Sequence, residues 1–421
     1  MTTSTSQLDE LCINTIRTLS MDAVQKANSG HPGTPMALAP LAYVLYTRVM
    51  RHNPADPDWA DRDRFVLSAG HASMLLYSML YLTGYPMTLE DLKNFRQVGS
   101  PTAGHPERKY SPGIEATTGP LGQGISMSVG LALAERMLAA RFNRGDHAIV
   151  DHHTFTIASD GDMEEGVASE ACSLAGHLGL GRLIAFYDAN RIQLASEVKV
   201  VMSEDVGQRF EAYGWHVVDV GEDLSVERLE SVTREAMAEE ERPSLVIVES
   251  HIGYGSPLQD TTKAHGNPLG EENVRTAKEF YGWDPDAHFL VPEEALAHFR
   301  KACERGAEQE REWAERFAAY REAHPDEAKA FEDMLEGRMP DGFDADPPRF
   351  DAGESMATRK ASGAAVQWAA ARIPHLVGGA ADLASSTNTD IEGAGDVQRG
   401  HYEGRNLRFG VREHGMGAIV N

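Results

Sequence analysis

The stretch from Thr154 to Ile192, TFTIASDGDMEEGVASEACSLAGHLGLGRLIAFYDANRI, constrains the fold more than any other part of the chain. Apolar Phe155 to Ala158 stops at Ser159-Asp160-Gly161-Asp162. A helical pattern follows, and a second apolar run, Leu183 to Tyr187, stops at Asp188-Ala189-Asn190. This pattern predicts a strand, a helix and a parallel strand. Both strands of such a unit finish at one edge of the sheet, so Asp160 and Asn190 are expected to meet in space. A carboxylate and an amide oxygen are hard ligands suited to Mg2+ or Ca2+. Gly161 lets backbone approach a ligand closely, and the following helix would aim free N–H groups at the same place, which suits a diphosphate chelated to a divalent ion. The simpler alternative is a strand-to-helix turn that Asp160 merely caps. An EF-hand is excluded: counted from Asp160, Glu165 occupies the glycine position and Ala171 the bidentate glutamate position.

The rest of the chain repeats the alternation. Leu8 to Ala27 carries apolar residues at helical spacing and stops at Asn28-Ser29-Gly30-His31-Pro32-Gly33. A nearly all-apolar helix follows from Met36 to about Met50 and should be buried. Arg64 to Ser68 reads as a strand turning through Ala69-Gly70-His71 into the helix Met74 to Leu82, which places His71 at the ligand-binding edge of an α/β sheet. A Gly/Pro-rich loop, Gly99 to Pro120, carries His105 and leads into Thr118-Gly119-Pro120-Leu121-Gly122-Gln123-Gly124 and a helix to about Phe142, another N–H-rich helix start. His216 to Val220 and Leu245 to Glu249 are further strands, separated by the helix Val226 to Glu241. The loop Gly253 to Gly270, with His265, is long enough to suggest a function. Charged helical sequence runs from Glu293 to about Glu336. The fold class is therefore α/β, a mainly parallel sheet with helices on both faces.

A linker of Pro, Gly and Asp occupies 338–355 and divides a first domain, 1–337 with its helical extension from about 293, from a second α/β pattern at 356–421. In that pattern Thr358 to Ala371 is a helix, Leu376 to Gly378 and Asn406 to Gly410 are strands, and Arg412-Glu413-His414 opens a helix. Composition narrows the function classes. A formal charge of -25 argues against nonspecific nucleic-acid binding and against an anionic membrane surface. Three scattered cysteines make neither a disulfide framework nor a zinc site and fit a reducing, cytoplasmic setting. The polar start MTTSTSQ is not a signal peptide, and no apolar run is long enough to span a bilayer.

Read together, SGHPGTPM, LSAGHASMLLY, GPLGQGI, EACSLAGHLGLG, LIAFYDAN, RFEAYGWHVV, ATRKASG, GGAADL and GVREHGMGAI, in this order, make the chain resemble transketolase. The resemblance runs from the first helix to the last residue. It implies the thiamin-diphosphate-binding fold, with a pyrophosphate-binding first domain and the beginning of a pyrimidine-binding second domain. The implied activity moves a two-carbon ketol unit from a ketose phosphate to an aldose phosphate, with thiamin diphosphate and Mg2+ or Ca2+ as cofactors. Asp160, Asn190 and the backbone carbonyl of Ile192 would hold the metal. His71, Gly119, Leu121 and Gly161 would contact the cofactor, Glu165 would join a network of interface glutamates, and Asp382 would lie near the cofactor. His31, His71, His105 and His265 would line the substrate channel, with His31 and His265 handling hydroxyl and carbonyl protons and His265 also reaching the cofactor. Histidine suits that work because its ordinary pKa lies close to the working pH. Arg359 and Ser386 would grip the sugar phosphate, and a buried Glu413 would hydrogen-bond the aminopyrimidine ring.

The family's cofactor motif usually begins with glycine where this chain has Ser159. The resemblance also implies a homodimer with sites between subunits. Family chains continue through the rest of the pyrimidine domain and a third domain, so the chain alone is expected to be inactive, as a truncated product or as half of an enzyme completed by a C-terminal partner chain. A dihydroxyacetone synthase-like transferase and a noncatalytic subunit are the alternative readings.

Overall fold

A computed structural model describes residues 5–145 and 147–421 of the chain. The polar first residues, 1–4, lie outside the described residues, as does Asp146.

Five strands, β1 (Arg64–Leu67), β2 (Thr154–Ser159), β3 (Leu183–Asp188), β4 (His216–Gly221) and β5 (Ser244–Val248), make one sheet in the order β1-β2-β3-β5-β4. Every pairing is parallel. Parallel neighbours need crossovers, and the helices that supply them cover both faces. Side-chain parity assigns the faces. Phe155, Ile157, Ile184, Phe186, Val246 and Val248 point into one apolar core with the helices Thr5–Ala27, Gly33–Val44, Ser73–Thr83 and Val226–Ala238. Leu183, Ala185, Tyr187 and Leu245 point into the other, against the helices Gln123–Phe142 and Gly166–Leu178. Because β2 and β3 are adjacent and in register from Thr154↔Leu183 to Ser159↔Asp188, Asp160 and the Asp188–Asn190 turn leave the same sheet edge. The helix Gly33–Val44 is buried at every position, as its all-round apolar sequence predicts, and widens into a π turn at Leu45–Val49. Among the described residues no helix is long and apolar enough to cross a membrane.

Four expectations change. The helix after Asp160 comes in two pieces, Asp160–Glu164 and Gly166–Leu178, because Glu165 between them has extended backbone (ψ 129°). The charged helix breaks at His324 into Glu293–Ala323 and Pro325–Leu335, since a proline lacks the N–H needed to continue and starts a new helix instead. The 253–270 loop contains a helical turn, Thr262–Gly266, that carries His265. In the second domain β6 is Gly378–Ala380 rather than Leu376–Gly378, pairing in parallel with β7 (Asn406–Arg408). The pairing settles on Gly379 because an added Cβ there would stand 2.3 Å from the carbonyl of Leu407. Helix Glu413–Val420 then packs on Gln123–Phe142 and Gly166–Leu178, joining the second domain to the first.

Candidate functional site at the sheet edge

Three segments leave the strand ends and touch. β1 runs through Ser68 into the tight turn Gly70–Ala72, residues 118–122 lead into the Gln123–Phe142 helix, and β2 runs through Ser159 into Asp160. Glycines permit the contact. A Cβ on Gly70 would stand 2.8 Å from the amide nitrogen of Gly119, one on Gly124 would stand 2.4 Å from Cα of Ser68, and one on Gly161 would stand 2.6 Å from Leu121 Cδ1. Gly119 (φ 148°) and Gly122 (φ 77°) also hold backbone that side chains disfavour.

Asp160 is 2% exposed. Its Oδ1 accepts from the Tyr187 hydroxyl at 2.6 Å, and its Oδ2 accepts from the Arg191 backbone N–H at 2.8 Å. Burial raises its pKa to about 6 against those two hydrogen bonds. The Arg191 guanidinium pairs with Glu249 and acts on the carboxylate less than burial and the two hydrogen bonds do. A buried carboxylate with only neutral donors is costly unless a cation joins it. Asn190 is fixed alongside: its Nδ2 donates to Asp188 Oδ2 at 2.7 Å and its Oδ1 accepts from the Ile192 N–H at 3.0 Å. Asp188 is fully buried, and burial raises its pKa to about 7 against hydrogen bonds from Ser250 and Asn190. Among the described residues no three His, Cys, Asp or Glu converge on a metal site, so the set here is one carboxylate, one amide and a backbone carbonyl. All are hard oxygen donors and fit Mg2+ or Ca2+.

Three of the four candidate histidines converge beside this edge. Ring centroids are 5.0 Å apart for His31 and His71, 5.1 Å for His71 and His265, and 5.7 Å for His31 and His265. They come from the turn before Gly33–Val44, the turn after β1, and the helical turn Thr262–Gly266. Gly33 makes the convergence possible, since a Cβ there would stand 2.5 Å from the carbonyl of Ala264. Each ring has a buried nitrogen with no partner: Nδ1 of His31, Nε2 of His71 and Nδ1 of His265. Burial pushes all three down, helped at His31 and His71 by the neighbouring histidines. His31 falls to about 4 and His71 well below the usual value, while at His265 a backbone hydrogen bond to Ile192 opposes the fall. All three are therefore neutral at pH 7. His105 lies against Gly119, where an added Cβ would stand 3.3 Å from its Cγ. Its loop is pinned by Tyr77, whose hydroxyl donates to the carbonyls of Ala103 and His105 at 2.9 and 3.1 Å.

His31, His71 and His265 thus stand, neutral, over a glycine cradle beside the buried Asp160. The transketolase thiamine diphosphate binding domain matches residues 8–340, and the transketolase pyrimidine binding domain matches residues 354–421. The chain belongs to the transketolase family. It is 53% identical to the transketolase of Halalkalibacterium halodurans, over 98% of this chain and 62% of that one. It is also 53% identical to the transketolase of Geobacillus stearothermophilus, with the same coverage. The chain thus spans about 62% of the length of these curated relatives. The crystal structure of Pichia stipitis transketolase in complex with a sedoheptulose 7-phosphate matches with a TM-score of 0.95 at 44% identity, covering 98% of this chain and 62% of that one.

The remaining transketolase-motif residues lie elsewhere. Arg359, Asp382, Ser386 and Glu413 are all exposed in this chain, and none bonds to the histidine group. The elements that carry Arg359 and Ser386 meet: helix Thr358–Arg372 packs on Ala384–Thr387, and Asn388 Nδ2 donates to the Arg359 carbonyl at 3.3 Å. Asp382, with a φ of 60°, precedes that turn. The expected burial of Glu413 is not met within one chain. It opens the helix Glu413–Val420, whose other residues Gly415, Ala418 and Ile419 are the ones packed inward. Nearby, the Gly415 N–H donates to Glu170 Oε2 at 2.7 Å. Glu165 is exposed too, its Cβ close to Gly122. A cleft of about 920 Å3 between the Gln123–Phe142 helix and β6–β7 is lined by none of the predicted site residues.

Sequence reasoning missed several residues. Asp162 ties the three cradle segments, and Ser159-x-x-Asp162 is a capping-box pattern that could have signalled it. Tyr187 ends the apolar run Leu183 to Tyr187, where nothing in the pattern signals its hydroxyl bond to Asp160. Arg96, near His31 and His105 and held by Ser29 through a 3.0 Å bond, carries no local motif.

Proposed function

We propose that this chain supplies the diphosphate-and-metal half of a thiamin-diphosphate-dependent ketol transferase acting on sugar phosphates. The observation that carries the reading is the group of His31, His71 and His265, packed ring to ring, each with a buried ring nitrogen that has no hydrogen-bond partner, beside the Gly119–Leu121 and Asp160–Gly161 backbone. Asp160, Asn190 and the carbonyl of Ile192 would hold Mg2+ or Ca2+, and His71, Gly119, Leu121 and Gly161 would face the cofactor. The cofactor, when bound, supplies the carbanion chemistry. The protein's part is orientation and proton movement. His31 and His265, neutral at working pH, can accept a proton from a substrate hydroxyl and return it to a carbonyl oxygen, with His105 binding the hydroxyl end of the donor sugar.

The exposure of Glu413, Asp382, Arg359 and Ser386 on one chain supports a homodimer in which they face the histidine group of the partner subunit, with Glu165 at that interface. Desolvation in the dimer would give Glu413 the burial it lacks here. The domain division at 338–355 and a cytoplasmic setting belong to the same reading, and the free cysteines Cys12, Cys172 and Cys303 are compatible with it.

The test is cofactor-dependent transfer from a ketose phosphate to ribose 5-phosphate, compared with formaldehyde as acceptor, by the chain assembled with a complementary C-terminal chain. Transfer that needs thiamin diphosphate and a divalent ion and prefers the sugar phosphate supports the proposal. Absence of cofactor binding by titration calorimetry refutes it.

A further inference from the structure

We infer that Asp162 is the positioning residue of the cofactor cradle, holding in register the three backbone segments expected to face the diphosphate. The inference rests on the thiamin diphosphate reading of this site.

Asp162 is fully buried, and its carboxylate is used on both oxygens. Oδ1 accepts from the Ser68 hydroxyl at 2.6 Å and from the Gly122 N–H at 2.7 Å. Oδ2 accepts from the Ser159 N–H at 2.8 Å and the Ser159 hydroxyl at 2.9 Å. Ser68 Oγ in turn accepts from the Ile125 N–H at 2.8 Å. One side chain therefore binds the end of β1, the start of the Gln123–Phe142 helix and the end of β2. These are the segments that carry His71, Gly119 with Leu121, and Asp160 with Gly161. Other bonds join the segments only in pairs, Ser68 and Ala69 N–H to the Ile157 carbonyl at 2.9 and 3.2 Å and the Ile125 N–H to Ser68, whereas the Asp162 carboxylate reaches all three. By taking the Gly122 N–H for itself, Asp162 also sets which way the preceding loop turns.

Only a carboxylate satisfies all four donors. An asparagine has one acceptor oxygen, and its NH2 would point at a pair of groups that includes a backbone N–H unable to accept. Ser159, which stands where the family usually has glycine, adds the fourth donor. Its hydroxyl donates to Asp162, so the departure from the family motif reinforces the cradle.

The experiment compares wild-type protein with Asp162→Asn and Ser68→Ala, using amide hydrogen exchange without cofactor and titration with thiamin diphosphate and Mg2+ followed by tryptophan fluorescence. Asp162→Asn should raise exchange in 68–72, 119–125 and 159–163 together, and weaken cofactor affinity roughly 10- to 100-fold, the range for residues that support ligands from behind. Ser68→Ala, which leaves the carboxylate in place and carries the test if Asp162→Asn does not fold, should shift affinity in the same direction by less. Faster exchange confined to 159–163 overturns the inference, as does a lowered melting temperature with cofactor affinity unchanged. If wild-type protein binds no cofactor, the reading of the site fails, and the exchange pattern still decides whether Asp162 couples the segments.

Discussion

Tyr187 and Asp160 show how much a single side chain behind a ligand can matter. The Tyr187 hydroxyl donates to Asp160 Oδ1 and leaves the carboxylate without freedom to rotate. Tyr187→Phe keeps the ring in its core and removes that bond, so Mg2+ affinity, measured by calorimetric titration in the presence of cofactor, should fall by roughly 10- to 100-fold with little loss of fold stability. A second residue, His153, tests pH dependence away from the site. Burial, with Arg182 and Arg51 nearby, holds its pKa down to about 4, although Asp63 pulls it up. An unfolded histidine takes a proton near 6.5 and the folded one only near 4. The folded state therefore binds fewer protons in that window, and stability is lost as pH falls from 6.5 to 4. His153→Phe should remove up to about 3 kcal/mol of that acid loss, read from urea midpoints at both pH values.

Helices and strands were legible wherever a periodic pattern ran uninterrupted. Gln123–Phe142, Thr5–Ala27 and the β2–helix–β3 unit fall close to their predicted bounds because apolar spacing reports directly on which face is buried. Boundaries drifted where a partner decided them, as at β6, where contact with Leu407 outweighs the local apolar run. The packing of elements also depends on positions with no pattern. Gly130 of Gln123–Phe142 lies against the last helix, and a Cβ there would stand 2.1 Å from the carbonyl of Ile419. Gly130→Ala should push the Glu413–Val420 helix off its seat at a cost of about 1–3 kcal/mol. Urea unfolding would measure the cost, and faster proteolysis after Arg412 would mark the displaced helix.

The whole molecule divides its candidate groups between two places, the histidine group at the sheet edge and the exposed Arg359, Asp382, Ser386 and Glu413 on the second domain. If sites are built from two chains, a mixture of Asp160→Ala and Glu413→Gln proteins, each assembled with the complementary C-terminal chain, should regain activity that neither has alone. A mixed dimer has one site with both residues intact, so random exchange gives about a quarter of wild-type activity. Equal inactivity of the mixture and of each parent, with subunit exchange verified by mass spectrometry, would rule out a shared site.

By itself the sequence determined the parallel α/β class, the strand–helix–strand unit and the meeting of Asp160 with Asn190, because periodicity and the one-edge geometry of parallel strands need no distant partner. The motifs named the histidines. Only the tertiary structure decided that His31, His71 and His265 share one buried, neutral group, because they come from loops whose convergence depends on contacts far apart in sequence, such as Gly33 against Ala264. The role of Asp162 was only half legible, since the Ser159-x-x-Asp162 capping box is local but the donors Ser68 and Gly122 come from segments distant in sequence. Glu413 marks the reverse case: its motif was readable, but burial belongs to surroundings, and within one chain it is exposed.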